Sequence, residues 1–387
     1  QELLRQGVRV RIFSLTRPGS AISAGEAQPL VPLTDYCPSP PSPGWLALLG
    51  RALFVHPLRL LRAFWSFWSA RPHGLSAPFR ALEHAMQAQA LAENLLRHGM
   101  KHVHAQFAYI TADIAERATA ETGGTFSVGA HAWDIFAQPD AGIRAHLEGA
   151  RLVTVCTKMS LSRLRELEQR EPDRLLLVRH GLPESAFAKP PPKPDGKLIL
   201  AVGRLVRKKG FCYLIDACHI LASRGRAVNC LIVGDGPLRG PLQAMVEQLN
   251  LEKNVRLMGA MPHEAVIGLL SADAAVFVLP SVVDDSGDRD GLANVILEAM
   301  ACGLPVVSTT ASAAREAVEH ERNGFLLPPA EPEPLAETLE KLLDDPALRS
   351  AIGDNARATV EEQFRISHVV APLVKALKTM DSNPEDS

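Results

Sequence analysis

Two stretches of this sequence carry the residue types that handle a phosphate-bearing ligand. In DGLANVILEAMACGLP, residues 290–305, an acidic, glycine-containing loop runs into a helix pattern that Gly303 and Pro305 close. The first turn of a helix leaves backbone N–H groups unpaired and carries partial positive charge, so Gly291, Leu292, Ala293 and Asn294 outline an anion site. Glu298 falls on the same helical face one turn after Asn294, and Asp290 stands just before the turn. Two carboxylates therefore flank one site for a polar ligand. In GRLVRKKG, residues 203–210, Arg204 and Lys209 follow directly on the strand pattern KLILAVG. Ligands of doubly wound sheets bind at the carboxyl ends of strands. Two cations there can neutralise a diphosphate, the arginine through paired hydrogen bonds. The bland alternative is a solvated basic turn of Arg204, Arg207, Lys208 and Lys209.

Other candidates are weaker. Gly234, Gly236 and Gly240 imitate a dinucleotide fingerprint, but the spacing is GxGxxxG and Pro237 interrupts the helix start. Asp288 and Asp290 form a DxD pair that could hold a metal, yet it precedes a helix in a parallel domain where Arg and Lys supply the charge, and no metal is expected. His102 and His104 alternate along a strand and share a face, without a third ligand in the neighbouring sequence. The six cysteines form no CxxC pair and read as reduced residues of a cytosolic protein.

These turns need a sheet behind them, and the chain supplies two. Helix 76–98 (Ser76 as N-cap, Pro78 in its first turn), helix 110–122, helix 139–148 and helix 159–168 alternate with strands KHVHAQFAY, TFSVGAHAWDIF, 151–155 and 174–178. KPPPKPDG, residues 189–196, reads as a stiff linker between a domain at 1–188 and one at 197–365. Beyond it come KLILAVG, helix 211–224, NCLIVGDG, helix 238–249, VRLMG, helix 263–270, AAVFVLP, the 290–305 helix, PVVST, helix 313–319, GFLLP and helix 333–343. A helical tail, 366–387, follows and frays at SNPEDS. Ahead of all this, QELLRQG reads as a helix end capped by Gly7 before a strand over Val8–Leu15, then an irregular stretch at 17–44.

The order of acid, loop, Glu298-bearing helix and AMACGLPVVST resembles the signature of the retaining glycosyltransferases of family 4. The resemblance implies α/β architecture of the GT-B type, two Rossmann-like doubly wound domains facing across a cleft. GRLVRKKG resembles the family's GRL…KG, whose Arg and Lys contact the donor pyrophosphate, and GDGP resembles a turn near the nucleotide. His131 in SVGAHAWDIF resembles the residue that faces the donor sugar, with Asp134 orienting the loop rather than reacting. The implied reaction moves a sugar from a nucleotide diphosphate to a glycan or lipid-linked acceptor in bacterial exopolysaccharide or lipopolysaccharide assembly. His131, Asp290 and Glu298 are the implied catalytic residues, and Arg204, Lys209, Gly291, Leu292, Ala293 and Glu298 hold the donor, Glu298 through the ribose hydroxyls. The leaving phosphate helps deprotonate the acceptor on the same face. No metal and no cofactor beyond the sugar nucleotide is implied, and the tail is expected to cross back to the first domain.

Three departures bear on this reading. Asp290 stands where the family usually has Glu, one methylene longer. Ser312-Ala313-Ala314-Arg315 replaces the usual GGxPE, with Glu316 in reach of the acid's role. The family's opening strand and glycine turn are missing before QELLRQG, so an N-terminal domain without its first central strand is expected, of reduced stability. Two rivals stay open: a GT-B protein that binds nucleotide sugar without turnover, and a Rossmann-type oxidoreductase.

Length and charge set the outer bounds. At 387 residues two domains are the prior, and a formal net charge of −2 gives no footprint for nucleic acid. No apolar run reaches the roughly eighteen residues of a membrane span, and no signal peptide is recognised, so the expected location is cytoplasmic. Residues 45–70 are strongly apolar with basic punctuation, divided at Pro57 into two helices. In the second, Arg59, Arg62, Ser66 and Ser69 share roughly an 80° sector, which suits a helix lying peripherally in a membrane interface. It equally suits a buried helix whose arginines snorkel to solvent.

Overall fold

The computed structural model describes residues 1–17, 28–55, 57–69, 77–167, 172–187 and 197–381. The expected linker at 189–196, the Ser76 cap and the terminal SNPEDS lie outside these residues. A short helix α1 (Glu2–Arg5) leads to β1 (Ile12–Ser14) and β2 (Thr34–Tyr36), a parallel pair of their own. The expected strand over Val8–Leu15 shrinks to three residues because its partner offers only three. Val8 packs instead among residues of the C-terminal tail. Gly7, at φ 80°, ends α1 as expected, its N–H and that of Val8 reaching the Leu4 and Leu3 carbonyls.

Helices α2 (Pro43–Val55), α3 (Pro57–Ser69) and α4 (Ala77–His98) follow, then β3 (His102–Gln106), α5 (Ile110–Thr122), β4 (Thr125–Ala130), α6 (Ala132–Phe136), α7 (Asp140–Leu147), β5 (Leu152–Val155), α8 (Lys158–Leu167) and β6 (Leu175–Leu177). The strands make a parallel sheet in the order β3-β4-β5-β6. α5 stops at Gly123, which takes the left-handed φ of 70°. α3 turns Leu60 and Phe67 inward, with Phe64 and Trp68 stacked beside them, while Leu58, Leu61, Arg62 and Trp65 face solvent. The helix is thus half-buried, and the side chains of Arg59, Ser66 and Ser69 lie outside the described set.

The second sheet is built from β7 (Leu198–Val202), α9 (Phe211–Ser223), β8 (Asn229–Val233), α10 (Arg239–Gln248), β9 (Val255–Gly259), α11 (His263–Ala272), β10 (Ala274–Leu279), α12 (Asn294–Ala301), β11 (Val306–Thr309), β12 (Gly324–Leu327) and α13 (Pro332–Asp344). Its order, β12-β11-β10-β7-β8-β9, is all parallel and reverses between β7 and β10. That is the doubly wound arrangement, with its ligand crevice at the switch point. Parallel strands covered on both faces read as unbroken apolar runs, and AAVFVL of β10 is buried at every position. The expected helix 313–319 is a single 3-10 turn, Ala313–Glu316. Asn323 halts it: its amide donates to the Ala317 carbonyl at 3.0 Å while its oxygen accepts from Glu319 N at 2.6 Å.

α14 (Pro346–Gln363) begins under an Asp345 cap, and α15 (Ile366–Val369) and α16 (Ala371–Asp381) complete the described residues. The chain crosses between domains here. Leu182 N donates to Phe364 O at 2.7 Å, Ile366 N to Leu182 O at 2.9 Å, and Arg365 pairs with Glu184. Val370, Leu373 and Val374 then pack against Leu152 and Leu176 of the first sheet. A side chain at Gly181 would meet the Ile366 backbone at 2.8 Å, so this crossing needs glycine there.

Candidate active site

At the switch point, the turns after β7 and β10 meet. Gly203 N donates to Val233 O and Leu205 N to Asp235 O, which lays the GRL turn on the GDG turn. A Cβ at Gly234 would stand 1.9 Å from the Gly203 carbonyl, and one at Gly236 would meet Leu205 O at 2.6 Å. These glycines serve close backbone contact beneath the basic turn. Arg204 is exposed there, and among the described residues nothing pairs with its guanidinium. Lys209 folds back under Gly203, and its Nζ is 2.9 Å from Asp290 Oδ2.

The loop after β10 is tied to this turn by charge. Lys208 takes Asp288 at 2.9 Å and lies 3.9 Å from Asp290, whose Oδ2 also accepts from Ser281 Oγ at 2.8 Å. Val282 N donates to Lys208 O. The DxD pair therefore has two largely, though not fully, buried ammonium partners. Neither Asp290 nor Lys209 is free in this state, whereas Arg204 is. α12 begins at Asn294 with Ala293 as N-cap and no side chain capping its first turn; Ile296 N donates to Ala293 O, which leaves the N–H groups ahead of it for a ligand. Glu298, one turn in, is 3.2 Å from His263 Nε2, a partner that the sequence did not suggest.

Across the cleft stands the carboxyl edge of the first sheet. His131 follows β4 directly and starts α6, while Asp134 Oδ2 accepts from the His131 and Ala108 backbone N–H groups at 2.8 and 3.1 Å. Asp134 is fully buried, and burial raises its pKa against the lowering effect of those two bonds. It orients the loop. His131 Nε2 lies 3.2 Å from Gln106 Oε1, its ring 4.9 Å from Phe107 and 6.1 Å from His180. Burial first, then the nearby His180, lowers the His131 pKa, so the ring is neutral at pH 7. Gly291 sits against this wall: a Cβ there would touch Ala132 Cβ at 3.7 Å and Cys156 Sγ at 4.0 Å. His180 stands on the same wall, its pKa lowered first by burial and raised in part by the nearby Asn294 side chain and Leu292 backbone. Sequence reasoning passed over His180, although a polar residue just beyond the strand RLLLV is the right kind of signal.

Among the expected site residues, the structure joins Lys209 to Asp290 and sets Gly291 against the wall that carries His131. Arg204 shares its turn with Lys209, and Gly291, Leu292 and Ala293 lead into the Glu298 helix. The domains also meet at Glu316, whose carboxylate accepts from Lys158 and Met159 N–H at the start of α8, at 2.8 and 3.0 Å. That contact borders a cavity of about 510 Å³ lined by Arg179, Arg315 and Gln363, separate from the Arg204–Asp290 cluster.

His102 and His104 both bond Ser127 Oγ, at 2.8 and 2.7 Å. Burial, then His102 and His131, pushes the His104 pKa down to about 4. The unfolded chain takes up a proton near pH 6.5 that the folded one refuses until about pH 4. Stability should therefore fall as pH drops through that window, by on the order of 3 kcal/mol from this group. Urea melts of wild type and His104→Gln across the window test it, the variant losing that slope.

Residues 184–359 match the family described as glycosyl transferases group 1. The chain is 37% identical over 212 residues to the putative colanic acid biosynthesis glycosyltransferase WcaL of Escherichia coli K12, covering 53% of this chain and 52% of that one. It is 38% identical over 182 residues to the amylovoran biosynthesis glycosyltransferase AmsK of Erwinia amylovora, covering 47% and 44%. The chain thus spans about half the length of the curated relatives it matches. Among solved structures, sucrose-phosphate synthase of Thermosynechococcus elongatus superimposes with TM-score 0.72 at 20% identity, over 98% of this chain and 90% of that one. Anabaena Alr3699/HepE, solved in complex with UDP-glucose, does so with TM-score 0.66 at 20% identity, over 95% and 99%. The fold is GT-B.

Proposed function

We propose, from the premise that residues 184–359 are a group 1 glycosyl transferase domain, that this protein transfers a sugar from a nucleotide diphosphate to a glycan or lipid-linked acceptor, with retention of configuration. The observation that carries the reading is the Lys209–Asp290 pair at 2.9 Å, with the uncapped start of α12 next along the chain and an unpaired Arg204 on the turn that also carries Lys209. Breaking the bond between the anomeric carbon and the diphosphate oxygen builds negative charge on the leaving phosphate. Arg204 and the amides of Gly291, Leu292 and Ala293 supply positive charge to it. Lys209 serves the same charge once its hold on Asp290 is shared with the phosphate. Asp290 then accepts from a donor hydroxyl, and Glu298 accepts from the ribose. Neutral His131 meets the sugar from the opposite wall. The leaving phosphate takes the acceptor proton, so no side-chain base is assigned. The lysine pairing of Asp288 and Asp290 supports a reaction that recruits no metal at the DxD.

The names of the relatives support cell-surface polysaccharide assembly as the setting. Incubating the protein with a panel of sugar nucleotides and lipid-linked acceptors, and following nucleotide diphosphate release, tests the reading. Acceptor-stimulated release from one donor class supports it, and none from any donor sinks it. Reduction of a carbonyl at the expense of nicotinamide would instead favour the oxidoreductase.

No helix among the described residues is long and apolar enough to cross a membrane. Yet Phe54, Leu58, Leu61 and Trp65 are 90, 68, 58 and 61% exposed, with Arg62 exposed on the same helix as the last three and Arg51 held by Glu93 at 3.4 Å. This patch on α2 and α3 suits peripheral contact with an anionic lipid surface, the aromatics entering the interface and Arg62 meeting headgroups. Sedimentation with phosphatidylglycerol vesicles should carry the protein down, and the double variant Phe54→Ser/Trp65→Ser should release it at least tenfold. Equal sedimentation of both would remove the proposal.

A further inference from the structure

We infer that the carboxyl edge of the first sheet carries a binding site for a thiophilic divalent cation of the zinc class, formed by His131, Cys156 and His180. The three residues come from three neighbouring strands. His131 directly follows β4, Cys156 directly follows β5, and His180 lies just beyond β6. Because the strands are parallel and adjacent, their carboxyl ends deliver the three side chains to one place. One donor atom from each lies within 4.8 Å of the other two. Ligands on a tetrahedral zinc stand about 3.3–3.6 Å apart, given metal–nitrogen and metal–sulfur bonds of about 2.0 and 2.3 Å. Closing that gap takes about 1 Å, within reach of small side-chain rotations.

The donor set decides the kind of ion. Two imidazoles and a thiol suit zinc, copper or cobalt, whereas magnesium and calcium seek oxygen. Two further observations separate this cluster from ordinary packing. His180 Nδ1 is buried without a hydrogen-bond partner, an orphan that a metal bond would satisfy. The His131 ring also has an outer neighbour that fixes it, as metal-binding histidines do: Gln106 Oε1 at 3.2 Å from Nε2. Three protein ligands leave a fourth position open, as in sites that exchange water or ligand. Gly291 lies against Cys156, so the ion would sit beside the turn proposed to hold the donor. Occupation would hold His131 on the metal, making the ion an inhibitor rather than a cofactor. Metal binding itself stands independently of the proposed transfer reaction.

The test uses the full chain, stripped with chelator and titrated with Co²⁺. One equivalent should bind with a near-ultraviolet thiolate-to-cobalt charge-transfer band, and Zn²⁺, but not Mg²⁺, should displace it. Cys156→Ser should abolish the band, and His180→Gln should weaken binding at least tenfold. Thermal melts of both metal-free variants report whether either is misfolded, and His180→Gln decides the matter if Cys156→Ser does not fold. A band that survives in Cys156→Ser would place the ion on another cysteine and overturn the inference. So would the absence of any band, or unchanged affinity in a folded His180→Gln.

Discussion

Replacing Lys209 by methionine is expected to destabilise the second domain by about 3 kcal/mol and to abolish sugar transfer. Its ammonium is the 2.9 Å partner of Asp290, and both side chains are largely withdrawn from water, at 14 and 8% exposure. Removing one member of such a pair strands the other charge, which typically costs about 3–5 kcal/mol. The lower end applies because Ser281 Oγ still donates to Asp290 and Lys208 remains 3.9 Å away. The double variant Lys209→Met/Asp290→Leu should recover most of the stability, since no charge is then buried alone, while activity stays lost. Urea denaturation of both separates the two effects. A stable, active Lys209→Met protein would show that the pair is neither structural nor part of the donor site.

The second large effect is the reverse in kind. Arg204→Ala should leave stability within about 0.5 kcal/mol of wild type, as for exposed positions away from special features. It should nevertheless lower kcat/KM by about a hundred- to a thousandfold, the scale of losing one donor to developing charge. Arg204→Lys should restore only part of this, because an ammonium cannot match the two-point grip of a guanidinium. Steady-state kinetics on the identified donor measures it. A loss below tenfold in Arg204→Ala would remove Arg204 from the phosphate site.

Much of this arrangement was legible because parallel α/β folds announce themselves locally. Helix 110–122 has the bounds expected of it, since an amphipathic pattern ends at Gly123 in left-handed conformation. The division at Pro57 was equally plain. Local pattern failed where a distant side chain decides. The helix expected at 313–319 is cut short by Asn323, whose amide takes the Ala317 carbonyl. The strand expected over Val8–Leu15 is limited by the length of β2, which no residue within 8–15 encodes. At the site, the charges could be read as present but not as paired. Nothing in GRLVRKKG says that Lys208 turns to Asp288 and Lys209 to Asp290, eighty-odd positions away, leaving Arg204 free. His180 escaped for the same reason, since its importance comes from β6 lying beside β5.

A crevice that holds a sugar nucleotide at Arg204, Asp290 and Glu298 should bind one in free solution. Calorimetric titration of wild type, Arg204→Ala and Glu298→Ala with uridine, guanosine and adenosine diphosphate sugars tests it most directly. One donor class should bind wild type at a single site, and both variants should weaken that binding at least tenfold. Undiminished binding in both variants would contradict it, as would the absence of heat with every donor on folded wild-type protein.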